Sequence, residues 1–301
     1  MTKSILFVGE CMMEIRKGPG ASIEHSFAGD TYNSAVYAKR WNPDHRIAFF
    51  SALGDDPISE MMLISWKSEG IDSALVCKSN HRVPGIYAIS TDSQGERKFF
   101  YWRKNSAATE MLELLEQQGG AASIPDFNCV YFSGISLGIL SDDDKERLLN
   151  LMRELRRRGA SVAFDPNYRE SLWLNEKHAR AWILRAYQCC DLAFPGLDEH
   201  KLLFAHQTAI ELGQFLNGLG VKEIVVKSGL DGVYVFSHNQ LLYHKPFQAA
   251  PTQVDATAAG DSFAGTYLAE RITGRAVNDA VDAASGVAKM VVQHSGAIVG
   301  R

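Results

Sequence analysis

The sequence has few cysteines, and they are scattered along its 301 residues: Cys11, Cys77, Cys129, Cys189 and Cys190. An odd number of cysteines at this spacing predicts no disulfide framework, and the absence of a C-x-x-C pair argues against a structural zinc site. Unpaired cysteines are typical of a reducing compartment, so we expect a cytoplasmic protein.

Long hydrophobic runs and an excess of positive charge are also missing. No apolar stretch approaches the length of a membrane span, and the N-terminus enters a predicted strand without a signal-peptide pattern. With a formal net charge of -4, the chain has no charge signature of a nucleic-acid-binding protein. We therefore expect neither a membrane nor a nucleic acid as a partner.

Repeats, low-complexity segments and long linkers are absent as well, so we expect one domain, 1–301, whose length suits a single large α/β unit. Apolar runs followed by helical patterns indicate strands. Alternating strands and helices predict a mostly parallel sheet with helices on both faces. The strands predicted on this basis are 4–9, 46–52, 74–77, 128–133, 161–164, 191–194 and 223–227.

Two antiparallel elements interrupt this alternation. The β-type runs 85–90 and 99–103 flank the polar residues 91–96 and predict a hairpin, and a second hairpin is predicted within 233–244. The first hairpin does not fit a parallel sheet. We therefore expect it to form a separate small β lid, built from about 11–28 and 82–104. The residues 18–20 are predicted to end the first extended stretch of this lid.

A run of very small residues precedes a predicted helix at 260–272. The stretch 254–263 is predicted to be a strand end, a turn and a helix start. Its alanines and Gly260 leave backbone N–H groups open at the helix N-terminus, where an anion such as phosphate can bind. Asp261 falls in the first turn, where the helix dipole favours the charged carboxylate, so we expect a proton acceptor at neutral pH. The alternative is that Asp261 only caps the helix.

Polar clusters follow several predicted strands, at 165–169, 198–199 and 228–232, and Asp261 adds a further one. In parallel sheets, ligands bind beyond the carboxyl ends of the strands. We therefore expect these clusters to meet at one edge of the sheet. The chain lacks both a Walker-type phosphate loop and a G-x-G-x-x-G fingerprint after the first strand, so phosphate binding is assigned to the turn before Asp261.

Residues 255–263 (Asp-Ala-Thr-Ala-Ala-Gly-Asp-Ser-Phe) resemble the signature of the ribokinase-like (PfkB-type) carbohydrate kinases. The resemblance runs nearly the whole length of the chain. Within that family the chain looks most similar to the 2-keto-3-deoxygluconate kinases. The supporting segments are 9–12, 29–33, 84–87, 95–103, 133–137, 165–169 and 172–173.

This resemblance implies a three-layer α/β/α core with a small β lid, ATP as phosphoryl donor and Mg²⁺, and it leaves a monovalent cation open. It implies phosphorylation of 2-keto-3-deoxygluconate to 2-keto-3-deoxy-6-phosphogluconate. Asp261 would be the base, and the N–H groups of Ala259, Gly260 and Asp261 would form the anion hole. The nucleotide-binding residues that it implies are Ser228, Gly229, Asp231, Gly232, Ala258, Ala259 and Gly260. The sugar-acid-binding residues are Gly29, Asp30, Asn33, Tyr87, Tyr101, Arg103, Asn167 and Arg169.

Two features depart from the family pattern. Many relatives have Thr where this chain has Ala256 and Gly where it has Ala258. The N-x-x-E magnesium motif appears as residues 196–199, where Gly196 replaces the Asn and only Glu199 is kept. Glu199 would therefore hold the metal through water, and Asp198 would cap its helix.

The residue chemistry supports a sugar acid as substrate. The planar guanidinium of Arg103 or Arg169 binds a carboxylate with two parallel hydrogen bonds. The alternative for Arg103 is an exposed charge on an edge strand, and the alternative for Asp30, or for Thr31 beside it, is a helix cap. The aromatic run 99–102 favours lid packing or a subunit contact, and with the lid's apolar face it predicts a homo-oligomer.

Three other functions compete with this interpretation. A neutral-sugar kinase, acting on fructose or ribose, would share the same phosphate chemistry. A non-catalytic sugar-binding relative is disfavoured by the intact Gly260-Asp261 pair. A dehydrogenase is disfavoured by the missing glycine fingerprint.

Overall fold

A computed structural model describes residues 2–18, 20, 22–91 and 97–300. Residues 92–96, the predicted hairpin turn that includes Gly95 and Glu96, lie outside the described residues, as does Pro19 of the segment predicted to end the first extended stretch of the lid. Among the described helices, none has the length and apolarity that crossing a membrane requires.

The elements follow one another along the chain as strands and helices in near alternation. The strands are β1 (Ser4–Val8), β2 (Met12–Lys17), β3 (Ile23–Ala28), β4 (Arg46–Leu53), β5 (Val76–Lys78), β6 (Ile86–Thr91), β7 (Arg97–Trp102), β8 (Cys129–Ser133), β9 (Ser161–Asp165), β10 (Leu192–Ala193), β11 (Glu223–Lys227), β12 (Val233–Ser237) and β13 (Gln240–Lys245). The helices are α1 (Asp30–Trp41), α2 (Pro57–Ser68), α3 (Met111–Gln117), α4 (Gly134–Gly138), α5 (Asp142–Arg157), α6 (Glu176–Tyr187), α7 (Leu197–Phe204), α8 (Ala209–Gly218), α9 (Ala259–Arg271) and α10 (Val277–Val291).

The larger sheet has nine strands within the described residues, in the order β13-β12-β11-β10-β9-β8-β1-β4-β5. Neighbours from β11 to β5 run parallel, and among the described strands of this sheet the antiparallel pairs are β11-β12 and β12-β13. The predicted mostly parallel sheet is therefore confirmed. Parallel strands place their carboxyl ends at one edge, so the loops after β9, β10 and β11 lie side by side.

Two apolar cores cover the two faces of this sheet. Successive residues of β1 alternate between them: Leu6 and Val8 belong to one buried cluster, and Ile5 and Phe7 belong to the other. The first cluster contains residues of α3, α5, α6, α7 and α8, and the second contains residues of α1, α2, α9 and α10. The predicted three-layer α/β/α arrangement is therefore confirmed.

Helix α5 shows how local sequence fixes these elements. The Ser141 side chain accepts a hydrogen bond from the Asp144 N–H at 3.2 Å, so it caps the first turn. Leu148, Met152 and Leu155 recur at helical spacing and are fully buried against the sheet. The capped start and the buried face of α5 therefore both follow from its local sequence.

The smaller sheet contains four strands of the described chain, in the order β3-β2-β6-β7. The predicted hairpin is confirmed as the antiparallel pair β6-β7, and β2 joins it in parallel. Strand β3 was not predicted as a strand, although it falls within the expected lid segment. The aromatic residues 99–102 on β7 are 40–63% exposed, and because successive side chains of a strand point to opposite faces, apolar surface is open on both faces of this edge strand.

The strand predicted to end at Val254 is wrong. Residues 251–258 contain no strand, because the N–H groups of Val254 and Asp255 both donate to the Val292 carbonyl, at 2.8 and 3.1 Å. This carbonyl follows the end of α10, so the segment is fixed by a helix end. Helix α9 and Asp261 therefore follow a loop rather than a strand.

Helices α1 and α9 cross at Gly265, where a Cβ would lie 2.1 Å from the Ser34 carbonyl oxygen. Replacing Gly265 by Ala should therefore push the two helices apart and lower the free energy of unfolding by about 1–3 kcal/mol, as measured by denaturant titration. Gly286→Ala is the control, because an added Cβ there has open space. Equal stability of Gly265→Ala and the unsubstituted chain would contradict this close approach.

Candidate active site

The first turn of α9 is preceded by an unusual backbone conformation. Ala258, directly before the helix, has φ 61°, in the left-handed region that favours glycine. The Ala259 N–H donates to the Ala256 carbonyl at 3.2 Å, and the first full helical hydrogen bond runs from Ser262 N–H to the Ala258 carbonyl. The N–H groups of Gly260 and Asp261 fall between them and have no acceptor within the helix. The predicted anion site of three N–H groups therefore rests mainly on these two.

Asp261 does not act as a cap. Ala258 occupies the cap position of α9, and no side chain accepts a hydrogen bond there. The Asp261 carboxylate instead accepts a hydrogen bond from Asn33 Nδ2 at 2.8 Å. Asn33 lies in the first turn of α1, so the α1–α9 crossing holds Asp261 in one orientation.

The pKa of Asp261 is raised to about 7. Burial is the largest cause, and the negative charges of Asp30 and Asp165 add to it, whereas Asn33 and Lys227 oppose it. The helix dipole favours the charged carboxylate, but desolvation and the two nearby carboxylates outweigh the dipole and raise the pKa. A carboxyl that titrates near neutral pH is well matched to accepting a proton.

The start of α1 presents Gly29 and Asp30. The predicted cap, Asp30 or Thr31, is wrong: the cap residue is Gly29, with no side-chain hydrogen bond. A Cβ at Gly29 would lie 2.1 Å from the Glu10 carbonyl oxygen, so glycine permits this close approach. Asp30 accepts a hydrogen bond from Asn167 Nδ2 at 3.0 Å, which ties α1 to the loop after β9.

The loop after β9 carries a second carboxylate, Asp165. Its side chain accepts from the Asn167 N–H at 3.1 Å and pairs with Lys227 Nζ at 2.6 Å. Asn167 has a positive φ of 34°. The hydrogen bonds that it donates to Asp165 and to Asp30 help to hold this conformation. Asp165, Asn167 and Asp30 therefore form one continuous network that reaches Lys227 at the end of β11.

Lys227 is a site residue that the sequence analysis missed. Burial, the largest single influence, lowers its pKa, but the summed attraction of Asp165, Glu199 and Asp261 raises it overall, so the ammonium stays charged. The available signal was a lysine at the end of the otherwise buried apolar strand β11. Asp165 was recognised only as part of a polar cluster.

Glu199, in the first turn of α7, faces the same network. Its Oε1 accepts from the Tyr168 N–H at 3.2 Å, and its Oε2 is buried with no hydrogen-bond partner among the described residues. Burial raises the pKa of Glu199 to about 7, with Asp165 adding to the shift and Lys227 opposing it. No cluster of three or more metal-ligating side chains is present in the described part of the chain. A cation here would therefore bind one protein carboxylate and otherwise water or a ligand.

The smaller sheet brings a second set of residues together. Arg103 pairs with the buried carboxylate of Glu10, which also accepts from Ser106 Oγ. The Arg103 side chain is only 11% exposed, so the alternative of an exposed edge-strand charge is wrong. Its Nε is buried and has no partner within the described ranges. Glu10 and Ser106 were not predicted, because Glu10 is more than ninety residues from both of its partners, Arg103 and Ser106.

Tyrosines lie beside this pair. The Tyr87 hydroxyl donates to the buried Glu14, and its ring packs against that of Tyr101 at 5.7 Å between centroids. Tyr101 also lies under the Arg103 guanidinium, 5.8 Å from it. The structure thus places three of the predicted sugar-binding residues in mutual contact.

The remaining predicted residues lie farther out in the loops. Arg169 is exposed, and its guanidinium donates to the neighbouring Tyr168 carbonyl at 2.9 Å. The turn 228–232 directly follows Lys227, and the Ser228 N–H donates to the Gly232 carbonyl at 2.8 Å. A Cβ at Gly232 would lie 2.0 Å from the Lys245 carbonyl oxygen, so only glycine fits there. Gly229 and Asp231 complete this open turn at the same edge of the sheet.

Comparison with known proteins gives a consistent result over the full length. The model of the pfkB family of carbohydrate kinases matches residues 2–300. A 2-dehydro-3-deoxygluconokinase of Escherichia coli (strain K12) is 39% identical over 305 residues, covering 100% of this chain and 98% of that protein. An enzyme of the same name from Dickeya dadantii (strain 3937) is 38% identical, with 99% and 97% coverage.

The fold is also shared with solved structures. The crystal structure of a PfkB protein from Polaromonas sp. JS666 superposes with a TM-score of 0.83 at 25% sequence identity. The superposition covers 98% of this chain and 96% of that one, so it includes both sheets.

Proposed function

Since this chain belongs to the pfkB family of carbohydrate kinases, we propose that it transfers the terminal phosphoryl group of ATP to 2-keto-3-deoxygluconate, also called 2-dehydro-3-deoxygluconate. The product would be 2-keto-3-deoxy-6-phosphogluconate. The observation that carries this proposal is the position of Asp261, oriented by Asn33 beside the unpaired N–H groups of the first turn of α9.

In this reaction Asp261 accepts the proton of the terminal sugar hydroxyl. The hydroxyl oxygen forms a bond to the γ-phosphorus, the bond from that phosphorus to the β,γ-bridging oxygen breaks, and ADP leaves. Phosphoryl transfer has a loose transition state, so the protein acts mainly by positioning groups and stabilising charge. The N–H groups of Gly260 and Asp261 supply that stabilisation at the helix N-terminus.

The nucleotide would lie along the turn 228–232 and the small-residue segment 258–260. Ala258 adopts a left-handed conformation that keeps the following N–H groups turned toward a ligand, a task that glycine performs in many relatives. Ser228, Gly229, Asp231 and Gly232 border the same edge of the sheet as Lys227. Ala256 leaves this segment without the hydroxyl that relatives have there.

The sugar acid would lie between the smaller sheet and the network of Asp30, Asn33 and Asn167. The Arg103 guanidinium donates to Glu10 through Nη2, and its buried Nε has no partner among the described residues. Arg103 can therefore still donate to a substrate carboxylate. Tyr87 and Tyr101 pack beside it, and Gly29 leaves room at the start of α1. Arg169, exposed near the same loops, is the second candidate for the carboxylate.

We assign Mg²⁺ to the neighbourhood of Glu199, because the described residues contain no cluster of side chains that could bind it directly. The buried Oε2 of Glu199 has no hydrogen-bond partner among the described residues, and Mg²⁺ usually keeps several waters while it binds phosphate oxygens. Bound there, the ion would neutralise phosphate charge. Gly196 offers no side chain to help, so Glu199 would hold the metal through water.

The four-stranded sheet would serve as a lid that excludes water from the reaction. The exposed aromatic residues 99–102 of its edge strand β7 would also suit contact with a second copy of this chain, so we propose a homo-oligomer formed through the lid. Light scattering of the purified protein tests this part, and a monomer at micromolar concentration would contradict it.

A substrate panel tests the proposed activity directly. Coupled assays of ADP release should show turnover with gluconate-type or galactonate-type keto-deoxy acids, and much lower kcat/KM with fructose or ribose. Equal or higher kcat/KM for the neutral sugars would replace the sugar-acid assignment with a neutral-sugar kinase. No sugar-dependent ADP release at all would support a non-catalytic binding protein.

The raised pKa of Asp261 sets the expected pH dependence. Only the ionised carboxylate accepts a proton, so kcat/KM should fall about tenfold for each pH unit below a pKa of about 7 and become level above it. Initial rates at saturating ATP, measured with buffers overlapping across this range, check the profile. A rate that does not change from about pH 5.5 to 8.5 would contradict a base with this pKa.

A further inference from the structure

Lys227 occupies a specific position at the carboxyl edge of the sheet. Its backbone N–H donates to the Pro195 carbonyl at 2.9 Å, and the residue pairs in parallel with Gly196. The side chain then reaches past the two-residue strand β10 to Asp165 at the end of β9. A Cβ at Gly196 would lie 3.3 Å from Cδ of Glu199, so the missing side chain leaves room for that carboxylate beside the lysine.

The ammonium also lies against the first turn of α9. A Cβ built on Gly260 would be 3.8 Å from Lys227 Nζ. Outside the helix itself and the neighbouring residues, this nitrogen is the nearest atom to that position. The positive charge is therefore next to the N–H groups of Gly260 and Asp261, which have no acceptor within the helix. An anion held by these N–H groups is within reach of the lysine.

The two members of the Lys227–Asp165 pair differ in exposure. The Asp165 side chain is 4% exposed, whereas the Lys227 side chain is 27% exposed. An ammonium has three donors, and Asp165 is its one hydrogen-bond acceptor in the part of the chain that the structure describes. Lys227 therefore keeps donors available on its open side.

Lys227 is surrounded by negatively charged groups. Four carboxyl groups, those of Asp30, Asp165, Glu199 and Asp261, interact with one another or with this ammonium. A phosphoryl group would bring further negative charge into the same place. A fixed cation at this point would offset that repulsion.

We propose that Lys227 is a catalytic residue whose Nζ donates a hydrogen bond to a non-bridging oxygen of the γ-phosphoryl group during transfer, with Asp165 holding the ammonium in position. The inference rests on the proposed kinase activity but not on which sugar is phosphorylated. It adds a protein cation to the N–H groups that stabilise the transferred group.

Nucleotide binding without sugar provides the first test. In calorimetric titrations, Lys227→Met should weaken ATP binding about tenfold and leave ADP binding unchanged, because only ATP carries the γ-phosphoryl group. Lys222→Met is the matched control: Lys222 precedes the same strand and pairs with Asp191 at the surface, so its loss should change neither affinity. An unchanged ATP affinity in Lys227→Met would overturn the proposal.

Turnover provides the second test. Lys227→Met should reduce kcat about 10²- to 10³-fold. The double variant Lys227→Met/Asp165→Asn removes both charges, so it leaves no unpaired buried carboxylate and should fold. If Lys227 contacts the phosphoryl group, the double variant stays as slow as the single one. Recovery of kcat to within about threefold of the unsubstituted enzyme would show that Lys227 only neutralises Asp165.

These tests separate failure of this inference from failure of the proposed function. If the unsubstituted chain phosphorylates no keto-deoxy acid, the substrate assignment fails, yet the comparison of ATP with ADP still decides the role of Lys227. If the substrate panel succeeds and Lys227→Met keeps normal ATP affinity, the kinase assignment stands and the role of Lys227 is refuted.

Discussion

Asp261→Asn should lower turnover by about 10²-fold or more while ATP affinity stays unchanged. The asparagine keeps the shape of the side chain and can still accept the hydrogen bond from Asn33 Nδ2, so the geometry of the α1–α9 crossing should survive. What the variant loses is the carboxylate that we propose as acceptor of the hydroxyl proton. Single-turnover rates and ATP titrations on the same preparation measure the two properties separately.

A matched control for this substitution is Asp279→Asn. Asp279 also lies in the first turn of a helix, α10, but its side chain is exposed, and it is not among the main groups that shift the pKa of Asp261. It should keep full turnover, which would show that loss of a first-turn charge does not by itself slow the enzyme. Near-normal turnover of Asp261→Asn would exclude Asp261 as the base.

The same variant should gain stability at alkaline pH. The folded-state pKa of Asp261 is raised to about 7, whereas a carboxyl of the unfolded chain ionises near 4, so the stability of the unsubstituted chain falls as the pH rises from about 4 to about 7 and is level above that. Asparagine never ionises. The free energy of unfolding of Asp261→Asn should therefore exceed that of the unsubstituted chain above about pH 7, and the difference should disappear below about pH 4, where Asp261 is protonated in both folded and unfolded states.

The sheet could be predicted because its strands are local patterns. Residues 223–227 were predicted as a strand, and β11 has the same limits. The second hairpin was predicted within 233–244, and its turn residues His238 and Asn239 have the positive φ values, 49° and 62°, that such a turn needs. Apolar periodicity and turn chemistry are properties of neighbouring residues, so one sequence is enough to detect them.

The helices left unassigned show the limit of this approach. Helix α6 begins with Asn175 as its cap and buries Ala179, Trp182 and Ile183, but charged residues interrupt its apolar pattern. The short helix α4 is fixed by reciprocal hydrogen bonds of Ser133 and Ser136, which need the surrounding fold. Helices α3 and α8 were also left unassigned.

Several residues of the candidate site could be predicted from the sequence, but the contacts between them could not. Asn33 and Asp261 are 228 residues apart in sequence, and Lys227 and Asp165 are 62 apart. No local pattern indicates such partners. The raised pKa of Asp261 depends on burial and on the carboxyl groups that folding brings near it, so the dipole argument from local sequence gave the wrong direction.

Arg103→Ala should lower kcat/KM for a keto-deoxy sugar acid by about 30- to 150-fold, or about 2–3 kcal/mol, and change kcat/KM for a neutral sugar much less. The guanidinium has an unpaired buried Nε beside Tyr101, so it has a donor left for a substrate carboxylate. A neutral sugar has no carboxylate and makes no such contact, so its kcat/KM should not depend on it. The ratio of the two kcat/KM values therefore reports the contact itself.

The substitution also leaves Glu10 unpaired in a buried position, which would disturb any substrate equally. Arg82→Ala is the matched control, because Arg82 pairs with another buried carboxylate, Glu110, at 2.7 Å. Its loss should affect acid and neutral sugars by the same factor. If Arg103→Ala also changes both substrates equally, the guanidinium serves the Glu10 pair alone, and recognition of the sugar carboxylate must be assigned to Arg169.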